Sequence, residues 1–369
     1  MSPRWPAALS AAGLLIALCS SARATANQDL LWAFQDTGVL GLSSGQVSLA
    51  MTPESVWPVI FTNVQSGSAF AATPTGNGKW QPMGTQLLPG LLPMRTASSI
   101  DGRLALFSTR RSPKGSLYSP ATGWSPLPVG TQAAAFDQRG NPVTATPDGI
   151  AGLPRYLGST IVDMAISSAG DIGIVDSGYR YWQYSASTGD WLSTALAFPG
   201  ADSFEARIDS LDLEFDSLSR PHLVGGCGLG DRSKIYALDF STITGAWHTT
   251  LLTSAANDTP YLTLAANHQG EVATVWIKDG GDLMFSYKPD NGDWVTSLVA
   301  SDISWENQKQ LGLAFDEADN PVIAYVEDNG HVMLAYNPNM LAHNPNAVPE
   351  PACLALLSLA GLIALRRHH

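Results

Sequence analysis

Across 369 residues, 45% are hydrophobic and only 14% are charged, so the chain can fill a large core but is not built from charged amphipathic helices. Lys and Arg number 20 against 32 Asp and Glu, a net charge of −12. Setting aside Arg4, Arg23, Arg366, Arg367 and Glu350 leaves 16 basic against 31 acidic residues in the body. That balance disfavours nucleic acid and anionic membrane surfaces as partners, because phosphate binding draws on clustered Lys and Arg.

The first 26 residues read as a secretory signal peptide. Arg4 supplies a positive start, Ala7 to Leu18 an apolar stretch, and Ala22-Arg23-Ala24 or Ala24-Thr25-Ala26 a small-x-small cleavage site. Export through the Sec translocon is the expectation. Of the 3 cysteines, Cys19 lies in this leader and Cys353 near the far end, which leaves Cys227 alone in the body and no internal disulfide. Its setting, Gly225 to Asp231, reads as a turn or loop.

Internal repeats set the fold class. An aromatic, a short polar turn, Gly and then Trp recur five times: Phe70 with Trp80, Tyr118 with Trp124, Tyr184 with Trp191, Phe240 with Trp247 and Tyr287 with Trp294. Each copy reads as a hairpin in which the glycine allows a tight turn and the Trp opens the returning strand, its large face covering the hairpin end. A structural role within each blade is therefore assigned to Trp80, Trp124, Trp191, Trp247 and Trp294. Trp32, Trp57, Trp182, Trp276 and Trp305 fall outside the motif and are the better candidates for a binding surface.

A second element, strand, polar turn, strand, precedes it. Clear copies start at Leu313 (L-A-F-D), Leu213 (L-E-F-D), Ala134 (A-A-F-D) and Leu264 (L-A-A-N), and weaker ones at Thr52, Ala97 and Ala165. Together the two elements give a four-stranded antiparallel blade. Residues 27–340 are expected to form a single all-β propeller of about six or seven such blades. The stretch from Gly140 to Ile161 is short of a full blade, and Leu30 to Leu42 supplies a strand that closes the ring. A β-sandwich pair or an open β-solenoid is the structural alternative. The hairpin is reminiscent of Asp-box propellers, but the serine and the spacing of that motif are missing, so no sialidase-like activity is carried over.

Residues 341–347 form a spacer, and residues 348–369 an address. There Pro349-Glu350-Pro351 precedes fourteen residues without charge, Ala352 to Leu365, followed by Arg366 and Arg367. As a helix this run rises about 21 Å, short of a hydrocarbon core of about 30 Å, with the two arginines held among head groups on the cytoplasmic side. The tail resembles the PEP-CTERM sorting signal of Gram-negative bacteria, which an exosortase recognises. That resemblance covers about 22 residues. It implies transient anchoring in the inner membrane through the transmembrane helix, cleavage near Pro349 to Pro351, and release to the cell surface or the exopolysaccharide matrix.

For the body, Asp212, Glu214 and Asp216 alternate along one strand and could converge on a hard cation such as Ca²⁺, but the solvated face of an edge strand is the favoured reading. Asp316, Glu317, Asp319, Glu327 and Asp328 form a second acidic group without a calcium-loop spacing. No other cofactor is expected. His222, His248, His268, His331 and His343 are dispersed, and no nucleophile elbow, P-loop or dinucleotide fingerprint occurs in its required context. No catalytic residue is assigned. Two functions compete: a non-enzymatic matrix or surface propeller that presents loops to polysaccharide or protein, and a secreted carbohydrate-active hydrolase or lyase on the same scaffold. Two carboxylates about 5 to 10 Å apart in a central cleft would favour the second.

Overall fold

The computed structural model describes residues 32–336 apart from 41–46, 53–57, 64–68, 76–78, 84–94, 108–114, 200–206, 230–231, 257–261, 304–310 and the single positions 100, 157, 243, 279 and 291. The segments expected to be leader, spacer and sorting tail, with Pro349, Glu350, Pro351, Arg366 and Arg367, lie outside the described residues. Among those described, no helix is long and apolar enough to cross a membrane.

The described residues are all-β and form a seven-bladed propeller. Blade 1 holds β2 (Val47–Ala50), β3 (Val59–Asn63), β4 (Ala69–Pro74) and β5 (Trp80–Pro82), from the axis outward. Blade 2 holds β6 (Arg95–Ser98), β7 (Leu104–Phe107), β8 (Gly115–Ser119) and β9 (Gly123–Pro126). Blade 3 has three strands, β10 (Ala133–Phe136), β11 (Pro142–Thr146) and the two-residue β12 (Gly149–Ile150). This is the stretch too short for a fourth strand. Blade 4 contains β13 (Ile161–Ile166), β14 (Ile172–Asp176), β15 (Arg180–Tyr184) and β16 (Trp191–Ala195).

Blade 5 is made of β17 (Arg207–Phe215), β18 (Pro221–Leu229), β19 (Arg232–Ser241) and β20 (Ala246–Ala256), and blade 6 of β21 (Thr263–Ala266), β22 (Val272–Lys278), β23 (Asp282–Lys288) and β24 (Val295–Ala300). Blade 7 combines β25 (Gly312–Phe315), β26 (Pro321–Val326) and β27 (His331–Tyr336) with β1 (Ala33–Leu40) from the other end of the chain. Thus the expected closing strand is present. β1 runs antiparallel to β27 from Ala33 opposite Tyr336, and the Thr37 hydroxyl donates to the Val332 carbonyl at 2.7 Å. This pairing ties the two ends of the described chain into one blade and closes the ring, leaving only the short outer edges of the blades.

The core sits between blades. Leu49, Ile60 and Ala72 of blade 1 pack against Val322, Ala324 and Leu334 of blade 7, and Leu211, Leu213 and Phe215 of blade 5 against Ala165 and Val175 of blade 4. The hairpin tryptophans seal these contacts. Trp124 packs on Tyr118 of its own blade at 5.3 Å and edge-on to Phe61 of the preceding one at 6.2 Å, while its Nε1 donates to the Met83 carbonyl. Trp191 reaches back to Tyr156 and the Pro154 carbonyl, Trp247 to Tyr181 at 5.0 Å, and Trp294 to Asp239, while Trp80 packs on the cluster shared with blade 7. Their role is therefore wider than the within-blade packing expected from sequence. They wedge neighbouring blades together.

The polar turn of the second element has its own local logic. Its first side chain accepts backbone N–H groups two and four residues on: Asp137 from Arg139 and Asn141, Asp216 from Leu218 and Arg220, Asn267 from Gln269 and Glu271, and Asp316 from Ala318 and Asn320. Asp and Asn recur there because a short acceptor pre-forms the turn. The segment from Gly225 is extended as part of β18, not a loop. A Cβ at Gly225 would come within 2.6 Å of Phe198 and 2.9 Å of Leu211, so glycine is what lets that strand lie flat against its neighbours.

Candidate functional site in the central channel

The inner strands enclose a cavity of about 550 Å³. Exposed turn residues Ser168, Ser217 and His268 stand at one end, and deeper in the lining are Arg95, Asp163, Asp212 and Glu214. Register explains why these four meet. Arg95 pairs with Phe107, Asp163 with Val175 and Asp212 with Val224, so they hold equivalent places on β6, β13 and β17, whereas Glu214, paired with His222, lies two residues closer to the mouth.

Arg95 reaches across the channel. Its Nη1 lies 2.6 Å from Asp212 and 3.5 Å from Asp163, and Nη2 donates to the Leu211 carbonyl. The carboxylates are held from behind as well: Asp163 accepts the Leu213 N–H and Asp212 the Leu264 N–H, each at 2.8 Å. Burial pushes the Asp163 carboxyl well above the ordinary carboxylate range, with Asp212 opposing its ionisation and Arg95 only partly offsetting both. Glu214 keeps some access to the channel, yet burial together with the Asp212 charge pushes it up to about 8.

The alternating carboxylates Asp212, Glu214 and Asp216 thus lie on an inner strand against the channel, not on the solvated face of an edge strand. They are engaged separately. Asp212 is tied to Arg95, Glu214 faces the cavity, and Asp216 is consumed by its turn, by Arg220 at 2.5 Å and by His222 at 3.1 Å. Among the described residues, no group of three or more His, Cys, Asp or Glu side chains could hold a metal ion.

Asp216 belongs to a chain of alternating charges between blades 5 and 6. His222 sits between Asp216 and Asp239 at 3.1 and 2.7 Å, Asp239 meets Lys288 at 3.0 Å, and Arg220 meets Asp290 at 2.6 Å. Burial alone would lower the His222 pKa, but its two carboxylate partners raise it; burial opposes ionisation of Asp216, yet His222 and Arg220 hold it down at about 2. In the second acidic group, Asp316 caps its turn and Asp319 accepts from the His268 N–H at 2.9 Å.

Sequence reasoning missed Arg95 and Asp163. Both lie two residues before weak copies of the repeat, and their contact with Asp212 is long-range. The tryptophans outside the hairpin motif do not line the channel where described: Trp276 is buried, Trp32 packs edge-on to Phe285 at 5.3 Å, and Trp182 donates to Asp176 at 2.9 Å. Trp57 and Trp305 lie outside the described residues.

Fold and channel together define a seven-bladed β-propeller with a charged central site. No protein-family model matches this sequence, and no relative is found among curated proteins. Solved structures share the architecture. Virginiamycin B lyase from Staphylococcus aureus is similar with a TM-score of 0.54 at 12% identity, covering 83% of this chain and 99% of that one. AofleA from Arthrobotrys oligospora gives 0.50 at 12% identity over 82% and 85%, and U3-55K 0.51 at 11% over 81% and 100%. At such identities the likeness extends to the fold alone.

Proposed function

We propose that the protein is an exported, exosortase-processed component of the cell surface or exopolysaccharide matrix, and that its propeller binds polysaccharide without transforming it. The observation that carries the binding role is the channel itself, a cavity of about 550 Å³ that ends at exposed turns and is lined at depth by fixed polar groups. Such a recess, with few convergent polar side chains, suits ligand capture. The export half rests on the leader and on Pro349-Glu350-Pro351, the uncharged run and Arg366-Arg367. A glycan array and polysaccharide pull-down with the full-length chain test binding. Retention of at least one glycan is expected, and a blank array with no pull-down would count against it.

One observation favours the hydrolase or lyase alternative: Asp163, Asp212 and Glu214 all line the central cavity. Against it, Arg95 neutralises Asp212 and leans on Asp163, which leaves Glu214 without a freely ionised partner to share acid and base roles. The lyase named among the structural neighbours shares 12% identity, so its chemistry does not transfer.

A further inference from the structure

One level of the channel breaks its own repeat. The registers Ala50 opposite Val59, Ala97 opposite Ala105, Ala135 opposite Val143, Ala165 opposite Gly173, Glu214 opposite His222, Ala265 opposite Ala273 and Ala314 opposite Val322 place seven residues at equivalent positions, at the end of β2 and one step before the end of each other inner strand. All seven line the cavity, and six are alanine. Inner strands crowd near the axis, where a methyl group fits. Glu214 alone carries a long polar side chain into that space.

Its surroundings define what it could receive. The titratable or charged residues that share the cavity are Asp212 and Asp216 on its own strand, Asp163 from β13, Arg95 from β6 and His268 from the turn after β21. Asp216 is already paired with Arg220 and His222. That leaves three carboxyls, Asp163, Asp212 and Glu214, sharing one guanidinium. Thr263, Ser168 and Ser217 add hydroxyls to the same lining.

We propose that the channel binds a ligand bearing a primary ammonium group, an amino sugar being the form that matches a polysaccharide partner, with Glu214 as the residue that receives the ammonium. The inference rests on the channel being the binding site and is independent of export. Burial keeps a proton on Glu214 at neutral pH. When the ammonium arrives it keeps its own proton, and the Glu214 carboxyl releases one to solvent, so binding expels one proton and strengthens as pH rises.

The test is calorimetric titration of the full-length chain in detergent with glucosamine, N-acetylglucosamine, glucose and 1,4-diaminobutane. Glucosamine affinity is expected to rise about tenfold per pH unit between about pH 5.5 and 7, with heats that depend on the buffer's ionisation enthalpy. Glu214→Ala restores the residue found in the other six blades, so it is expected to fold; it should weaken glucosamine binding at least about tenfold, and Glu214→Gln should abolish the pH dependence. Binding of the diamine with the same Glu214 dependence would support the ammonium class and move the ligand from sugars to amines. Equal affinity for glucose or N-acetylglucosamine, or glucosamine binding unaffected by Glu214→Ala, would overturn it. A positive glycan array with no response to any amine would overturn this inference alone, whereas failure of both would also remove the binding role.

Discussion

Arg95 and Asp212 belong to blades 2 and 5, are separated by 117 residues, and meet across the propeller axis at 2.6 Å. The pair links opposite sides of the ring through a mostly buried ion pair that also leans on Asp163. Removing the guanidinium leaves two buried carboxyls without their cation. Arg95→Met is therefore expected to destabilise the fold by about 3 kcal/mol, while Arg95→Met with Asp212→Leu should recover part of that loss. Denaturant unfolding of the two variants checks both.

The His222 network sets a stability window. His222 has a folded pKa above its unfolded value, so its contribution is complete below about pH 6.5 and is lost as pH rises through the folded value. Asp216 is the reverse case: lowered from 3.8 to about 2, it contributes above its unfolded pKa and loses about 2 kcal/mol as pH falls through that interval. Unfolding free energies measured from about pH 2 to 9 should show both limbs, and His222→Gln should make the alkaline one shallower by the His222 share, leaving the Glu214 share in place.

Glu214 should oppose stability where Asp216 supports it. A carboxyl pushed up from 4.5 to about 8 is easier to ionise in the unfolded chain, so stability declines as pH rises between those values. Glu214→Ala removes this cost and is expected to gain about 2 kcal/mol at pH 8, after discounting for residual solvent access, and nothing near pH 4. Thermal melts of both proteins at the two pH values decide it.

The wedge tryptophans should be stability residues. Trp124→Ala deletes contacts with Tyr118 and Phe61 and the bond to the Met83 carbonyl, for an expected loss of about 3 kcal/mol. Because its Nε1 is buried with no hydrogen-bond partner, Trp247→Phe is expected to cost less than Trp124→Phe. Parallel denaturation curves give the comparison.

Most of the scaffold was legible because a blade is a local object. The Gly-Trp hairpins and the Phe-Asp turns lie within about fifteen residues of sequence each, and their recurrence marked the blades and the short stretch from Gly140 to Ile161, while the closing strand expected within Leu30 to Leu42 is Ala33–Leu40. The channel was not legible in the same way. Arg95 sits just before a weak repeat copy, and its meeting with Asp163 and Asp212 depends on ring closure over 68 and 117 residues. One signal was present in plain view: L-E-F-D at Leu213 beside L-A-F-D at Leu313 and A-A-F-D at Ala134 marks Glu214 as the odd member of an alanine position. Alternation alone read Asp212, Glu214 and Asp216 as one face of a strand but could not say that the strand lines the axis.

The proposed release of the propeller from its C-terminal segment is tested most directly by the intact mass of the chain recovered from the extracellular fraction of an exosortase-bearing host. A species that begins near Asn27 and ends near Pro349 to Pro351, and that shifts to an unprocessed, membrane-retained form on Glu350→Ala, is the expected result. A secreted or cell-retained chain that still carries Arg366 and Arg367, unchanged by that substitution, would contradict it.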